Sequence, residues 1–310
     1  MATTYRNLAN SEKDFDNILT KIKMNVNRSD RIHKAYTIVR KLADLVYGNG
    51  SKGSEQRWKA HNEKYPKGES LQALLDIREV ANFIPFLGTI ERSVLRLKME
   101  ALLKGSMIRG DESELNNKSV ARNTQFELFL FSHLCLSGYE VEICEPNPDI
   151  KVTIGSRVYF IECKRILRHS DNSVNSNVKT ALRQLNSSLV NKDDNHFGIV
   201  AISVQRILSK PEDILNSKTP DTGLKYVQEL TRQFIEENNA SWQNSNRLKN
   251  NRIASVWVHY SGGVVVDSDI PLWSLSNTTM TNAWRDSRSM DIIEKDFANM
   301  QRQLRLSNLA

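Results

Sequence analysis

The chain has 310 residues, 39% of them apolar and 25% charged, and carries a formal net charge of +7. That length suits one large core plus a smaller attached unit, and the balance excludes the disordered and membrane-spanning classes. No run approaches the roughly 20 apolar residues a bilayer helix needs, and the first residues lack an apolar signal segment, so a cytoplasmic protein without membrane association is expected.

Residues 1–115 read as a helical N-terminal domain. Ile32, Tyr36, Val39, Leu42 and Val46 recur at helical spacing, as do Leu71, Leu74, Leu75 and Val80, and a third apolar periodicity runs over residues 91–103. The Gly- and Ser-rich stretch from Gly48 to Ser54 reads as a loop and lacks the residue order of a Walker phosphate loop. This front part holds 20 Lys and Arg against 15 Asp and Glu, while residues 116–310 hold 23 against 21. Its basic excess fits a polyanionic partner, and residues 1–115 are the expected place for a homo-oligomer or partner-protein contact.

Residues 109–117 are polar and without period, and they mark the expected boundary. The next domain is placed at 116–270, followed by a C-terminal helical extension over 271–310 with a helix at 289–306. A strongly apolar helix is expected over 123–136, closed by Gly138, a residue suited to a left-handed helix terminus. Tyr139, Val141 and Ile143 then alternate with Glu140, Glu142 and Cys144, the period of a half-buried strand. Two more strands are expected over 149–154 and 157–164, then an amphipathic helix over 172–190 with Val178, Leu182, Leu185 and Leu189 on one stripe. A buried strand at 197–204, a mostly helical insertion at 210–251, and a strand at 253–260 follow. Gly262-Gly263 is read as a hairpin turn into Val264-Val265-Val266. This order predicts an α/β protein with a mixed central sheet flanked by helices on both faces.

The segment Pro148-Asp149-Ile150-Lys151-Val152-Thr153-Ile154-Gly155-Ser156-Arg157-Val158-Tyr159-Phe160-Ile161-Glu162-Cys163-Lys164 concentrates the chemistry. Gly155-Ser156 suits a two-residue type II′ turn. Such a turn opposes Ile154 to Arg157, and continuing the pairing opposes Asp149 to Glu162. Directly opposed residues share a sheet face, with Cβ atoms about 4.5–5.5 Å apart. Alternation places Val158, Phe160, Glu162 and Lys164 on one face and Tyr159, Ile161 and Cys163 on the other. Two like charges on opposed strands with apolar flanks call for compensation. A hard divalent cation supplies it, and oxygen ligands favour Mg²⁺, with Mn²⁺ possible, over zinc.

These residues resemble the PD-(D/E)xK nuclease superfamily, whose fold is the restriction-endonuclease-like core. Pro148-Asp149 followed by Glu162-Cys163-Lys164 matches its motif with the intervening hairpin. The resemblance implies that Asp149 and Glu162 hold Mg²⁺ and that Lys164 orients or activates the attacking water, giving a 5′-phosphate and a 3′-hydroxyl. The family also carries an acidic residue on the helix before the meander, a place taken here by Glu127, which implies a metal-binding role for it. Many members place a Gln on the following helix; Gln184 stands there, beside Lys179 and Arg183, and nucleic-acid binding is implied for this trio. The tyrosine that often follows the Gln by four residues is replaced by Ser188.

The resemblance implies a Mg²⁺-dependent endonuclease acting on nucleic acid, DNA favoured, with restriction or antiviral defence as an analogous setting. A catalytically inactive nucleic-acid-binding module of the same fold is the alternative, and a scaffold with an incidental acid pair is another. The six histidines show no zinc-ligand spacing, although His169 stands five residues past Lys164. Asp267 and Asp269 read as strand-ending residues. Cys135, Cys144 and Cys163 are too widely spaced for a CxxC pair and are expected to be reduced.

Overall fold

The structure is a computed structural model, and it describes residues 4–47, 61, 63–65, 68–106, 120–167, 171–208, 214–247, 252–266, 272–280, 295–296 and 298–300. Gly48–Ser54, residues 109–117, His169, Asp267 and Asp269 lie outside the described residues. The chain divides into two compact units. One comprises Met1–Gln125 with Lys210–Ile214, and the other Phe126–Ser209 with Leu215–Ala310.

The first unit is helical, as its periodicities predict. Helices α1 (Tyr5–Lys21), α2 (Arg31–Tyr47), α3 (Glu69–Phe83) and α4 (Arg92–Leu102) are its main elements, with a 3₁₀ segment Ile84–Thr89 after α3. Local chemistry starts these helices: Thr4 caps α1 by accepting from the Asn7 N–H, and the Glu91 carboxylate caps α4 by accepting from Ser93 and Val94. Phe15, Leu19, Ile32, Tyr36, Val39, Leu74, Ile77 and Val80 are buried on facing stripes. Burying each such side chain contributes about 1.5–3 kcal/mol. A buried polar cluster adds specificity: Asp76 accepts from Arg31 at 2.7 Å, from Gln72 at 2.9 Å, and from Arg122.

The second unit is an α/β assembly. Helix α5 (Val120–Leu136), whose first residues belong to the helical unit, precedes strands β1 (Glu140–Ile143), β2 (Ile150–Ile154) and β3 (Arg157–Arg165). Helix α6 (Asp171–Leu189), β4 (His196–Ser203), the short α7 (Gln205–Leu208), β5 (Ile214–Ser217), α8 (Pro220–Arg247), β6 (Ile253–Val266) and β7 (Leu272–Met280) complete it. Together the strands form one mixed sheet in the order β1-β2-β3-β4-β6-β5, with β7 paired to β6. The β1-β2-β3 meander is antiparallel, whereas β3-β4 and β4-β6 are parallel.

Alternation along β3, β4 and β6 sorts the two faces. Phe160, Val200, Ile202, Val256, Val258 and Tyr260 share a core with Val178, Leu182, Leu185 and Leu189 of α6 and with Val227, Phe234 and Trp242 of α8. On the opposite face, His259 meets the rings of Phe126 and Phe129 from α5, at centroid distances of 5.3 and 4.9 Å. β3 is thus an interior strand with helices over both faces, as its doubly apolar pattern predicts. Its beginning is tied to the C-terminal region: Asp296 accepts from Arg157 at 2.6 and 2.9 Å and from the Tyr159 hydroxyl at 2.6 Å.

Two expectations are corrected. Gly262-Gly263 is not a turn, because β6 continues through both glycines and pairs with β7 from Trp257↔Met280 to Val265↔Leu272. Glycine is needed at 262 for close approach, since a Cβ there would lie 2.5 Å from the Tyr260 hydroxyl. The helical extension over 271–310 likewise opens as β7, which adds a strand to the sheet; the described residues 295–296 and 298–300 are helical. The insertion at 210–251 contains the short β5 before its long helix. Among the described residues no helix is long and apolar enough to cross a membrane.

Candidate metal and phosphodiester site

The hairpin that carries the acid pair forms in the expected register. β2 and β3 pair from Ile154↔Arg157 to Ile150↔Ile161, so every opposed pair follows from a two-residue turn. Gly155 adopts φ +59°, the conformation a type II′ turn requires at its first central position. Asp149 lies one residue beyond the paired ladder, where continuation of the register meets Glu162. There the Asp149 carboxylate accepts a hydrogen bond from the Cys163 N–H at 2.7 Å, and its main-chain carbonyl accepts from the Cys144 N–H at 3.0 Å. Backbone amides of β1 and β3 therefore fix this turn from both sides.

Glu162 is 1% exposed at its side chain, and Lys164, on the same face two residues on, is 20% exposed. The Lys164 ammonium donates to Glu162 Oε1 at 2.7 Å. Glu162 Oε2 is buried without a hydrogen-bond partner. Burial raises the Glu162 pKa above the ordinary carboxylate value; the Lys164 charge and hydrogen bond oppose that rise, and the Glu127 charge adds to it. The three expected catalytic side chains are therefore gathered on one patch.

Glu127 is 8% exposed on α5 and acts on both Glu162 and the Cys163 thiol through its charge. The Cys163 thiol is held well above its usual pKa, chiefly by burial and then by the Asp149 carboxylate. That thiol stays protonated and is a poor metal ligand. All three cysteines are free.

On α6, Lys179 and Arg183 are exposed one helical turn apart and make no ion pair with a described residue. Gln184 behaves differently. Its Nε2 donates to Asn147 Oδ1 at 2.9 Å, while its Oε1 is buried without a partner. Asn147 is the residue that sequence reasoning missed. Its neighbour Pro148 marks a turn, but nothing in the local pattern foretells a partner 37 residues away on a helix.

The donor set suits a hard cation. Mg²⁺ is commonly held by one or two carboxylates, with water and substrate oxygens filling the remaining positions. The unpartnered Glu162 Oε2 beside Asp149 meets that requirement, because a buried carboxylate oxygen without a donor calls for a positive partner. Among the described residues no group of three or more His, Cys, Asp or Glu side chains is gathered to hold a metal unaided. No known protein-family model matches the chain, and no curated protein matches it.

Proposed function

We propose that the protein is a Mg²⁺-dependent nuclease with a restriction-endonuclease-like core, hydrolysing phosphodiester bonds of nucleic acid, DNA being the favoured substrate. The observation that carries this reading is a buried, half-satisfied Glu162 bound by Lys164 along the strand, with the Asp149 carboxylate held on the adjacent Cys163 amide. Asp149 and Glu162 would hold the cation, with Glu127 adding negative potential from α5. When bound, Mg²⁺ would neutralise charge at the scissile phosphate and make a water molecule more acidic.

The remaining chemistry belongs to the side chains. The Lys164 ammonium, anchored on Glu162 Oε1 and still partly open to solvent, is placed to orient an attacking water for in-line displacement at phosphorus. A new P–O bond forms as the bond to the 3′ oxygen breaks, leaving a 5′-phosphate and a 3′-hydroxyl. Lys179 and Arg183, exposed on α6, are suited to phosphate contacts that fix the strand without reading its bases. The basic excess of residues 1–115 adds to attraction for a polyanion or supports an oligomer or partner contact. Restriction or antiviral defence is the setting in which such an enzyme would act, by analogy with the superfamily.

A second reading rests on the exposed Lys179 and Arg183 and the basic excess of residues 1–115: a nucleic-acid-binding module of the same fold without turnover. One experiment separates the two. Plasmid, linear duplex, single-stranded DNA and RNA are incubated with the full chain in Mg²⁺, Mn²⁺ or EDTA, beside Asp149→Ala and Lys164→Ala. Cation-dependent cleavage lost in both variants is the expected result. Cleavage that survives either substitution would overturn the assignment, and salt-sensitive binding without cleavage would select the binding module.

A further inference from the structure

We infer that Gln184 is a positioning residue for Asp149, acting through Asn147, and not a nucleic-acid ligand like its neighbours Lys179 and Arg183. The consequence for catalysis rests on the nuclease reading; the structural link does not. Helix α6 is a firm platform, because Val178, Ala181, Leu182, Leu185 and Leu189 are buried against the sheet. Gln184 sits between Leu182 and Leu185, so its backbone moves only with that core.

From this platform Gln184 Nε2 donates to Asn147 Oδ1 at 2.9 Å. Asn147 is joined to Asp149 through Pro148, whose ring removes one of the soft dihedrals between them. A restraint on Asn147 therefore reaches Asp149 through a stiffened two-residue link. Asp149 in turn accepts the Cys163 N–H at 2.7 Å, immediately beside Glu162. The helix, the turn and β3 are thus linked by two hydrogen bonds with one proline between.

The carboxamide of Gln184 is already committed to protein on its donor side, and its Oε1 is buried. A base-reading amide needs its oxygen accessible; Lys179 and Arg183 are exposed, whereas Gln184 is half-buried with its Oε1 shielded. Leaving Oε1 without a donor costs stability, and such costs concentrate at functional sites. Outer groups that orient metal-holding carboxylates typically affect metal affinity without touching the metal.

The test is amide hydrogen exchange on the full-length, metal-free protein, read at Cys163. Tyr159 and Ile161 serve as references, since alternation points their amides toward the same neighbouring strand. Gln184→Leu and Asn147→Ala should each accelerate Cys163 exchange about fivefold, the equivalent of one ordinary hydrogen bond, and the double variant no further. Asn147→Asp keeps the acceptor oxygen and should retain protection. Mn²⁺ affinity should fall about tenfold or more in the two disruptive variants, with kcat on DNA reduced and KM unchanged. Unchanged Cys163 exchange in Gln184→Leu overturns the inference, as does a raised KM with kcat intact, the mark of a substrate ligand. If the unaltered protein neither binds Mn²⁺ nor cleaves, the nuclease reading fails, and the exchange measurement still decides the positioning role.

Discussion

Each unit buries a carboxylate, and the two are treated in opposite ways. Asp76 of the helical unit is fully buried and saturated: one oxygen accepts from Arg31, the other from Gln72, Arg122 and Gln125. Glu162 of the α/β unit is equally buried, yet only Oε1 has a donor and Oε2 has none. A saturated carboxylate has no capacity left for a ligand, and its role is to hold helices in register. A half-satisfied one keeps a lone-pair site in reserve at a cost to stability, the state expected of a group waiting for a cation.

Activity separates the two carboxylates most strongly. Asp149→Ala, Glu162→Ala and Lys164→Ala should each reduce Mg²⁺-dependent cleavage by on the order of 10²-fold or more, while circular dichroism stays native. Asp76→Ala should leave kcat untouched and instead destabilise the protein by about 3–5 kcal/mol, because two buried guanidiniums lose their counter-charge. Loss of cleavage in Asp76→Ala under conditions where the protein is still folded would mean that the two carboxylates are not so distinct.

Isosteric neutralisation gives a finer contrast. Asp76→Asn should lower the thermal midpoint in the absence of metal. Glu162→Gln should leave it equal or raise it, since the amide oxygen still accepts from Lys164 and no buried charge remains. The same logic fixes a pH dependence for the unaltered protein. The unfolded Glu162 loses its proton before the folded one does, so the folded state binds more protons between the two values. The Glu162 contribution to stability therefore falls as pH rises out of the ordinary carboxylate range through the raised folded value, and Glu162→Gln should remove that slope. A Mg²⁺-induced rise in the midpoint should be present in the unaltered protein and absent in Glu162→Gln.

The smallest effect expected is at His33 of the helical unit. Burial alone would lower its pKa, but hydrogen bonds to Asp30 at 2.8 Å and Asp16 at 2.7 Å, with their charges, outweigh that and raise it. The stabilisation from protonated His33 is complete below the unfolded value and is lost as pH rises through the higher folded value. Denaturant midpoints followed across that interval should decline modestly, and His33→Gln should flatten the decline.

Much of the candidate site was legible in the chain because it depends on local rules. A Gly at the first turn position and a strict period of two suffice to oppose β2 and β3, and the ladder from Ile154↔Arg157 to Ile150↔Ile161 follows that register without a bulge. The same locality explains Gly138, which takes φ +80° just after α5. Gly262-Gly263 departs from the expected turn for a related reason: glycine serves both turns and close packing, and only the Tyr260 ring lying over position 262 distinguishes the second use.

Backbone geometry over a few residues suffices for the helical front part, the meander, the turn at Gly155-Ser156 and the grouping of Asp149, Glu162 and Lys164, so these are legible in the chain. Tertiary structure decided what those groups experience. Insertion of β4 between β3 and β6 makes β3 an interior strand and buries Glu162. Seating of α6 on the sheet brings Gln184 to Asn147 across 37 positions, and Glu162 Oε2 is buried without a donor. Those outcomes depend on packing between distant segments, where burial and the exclusion of water set the energies, and no local period encodes them.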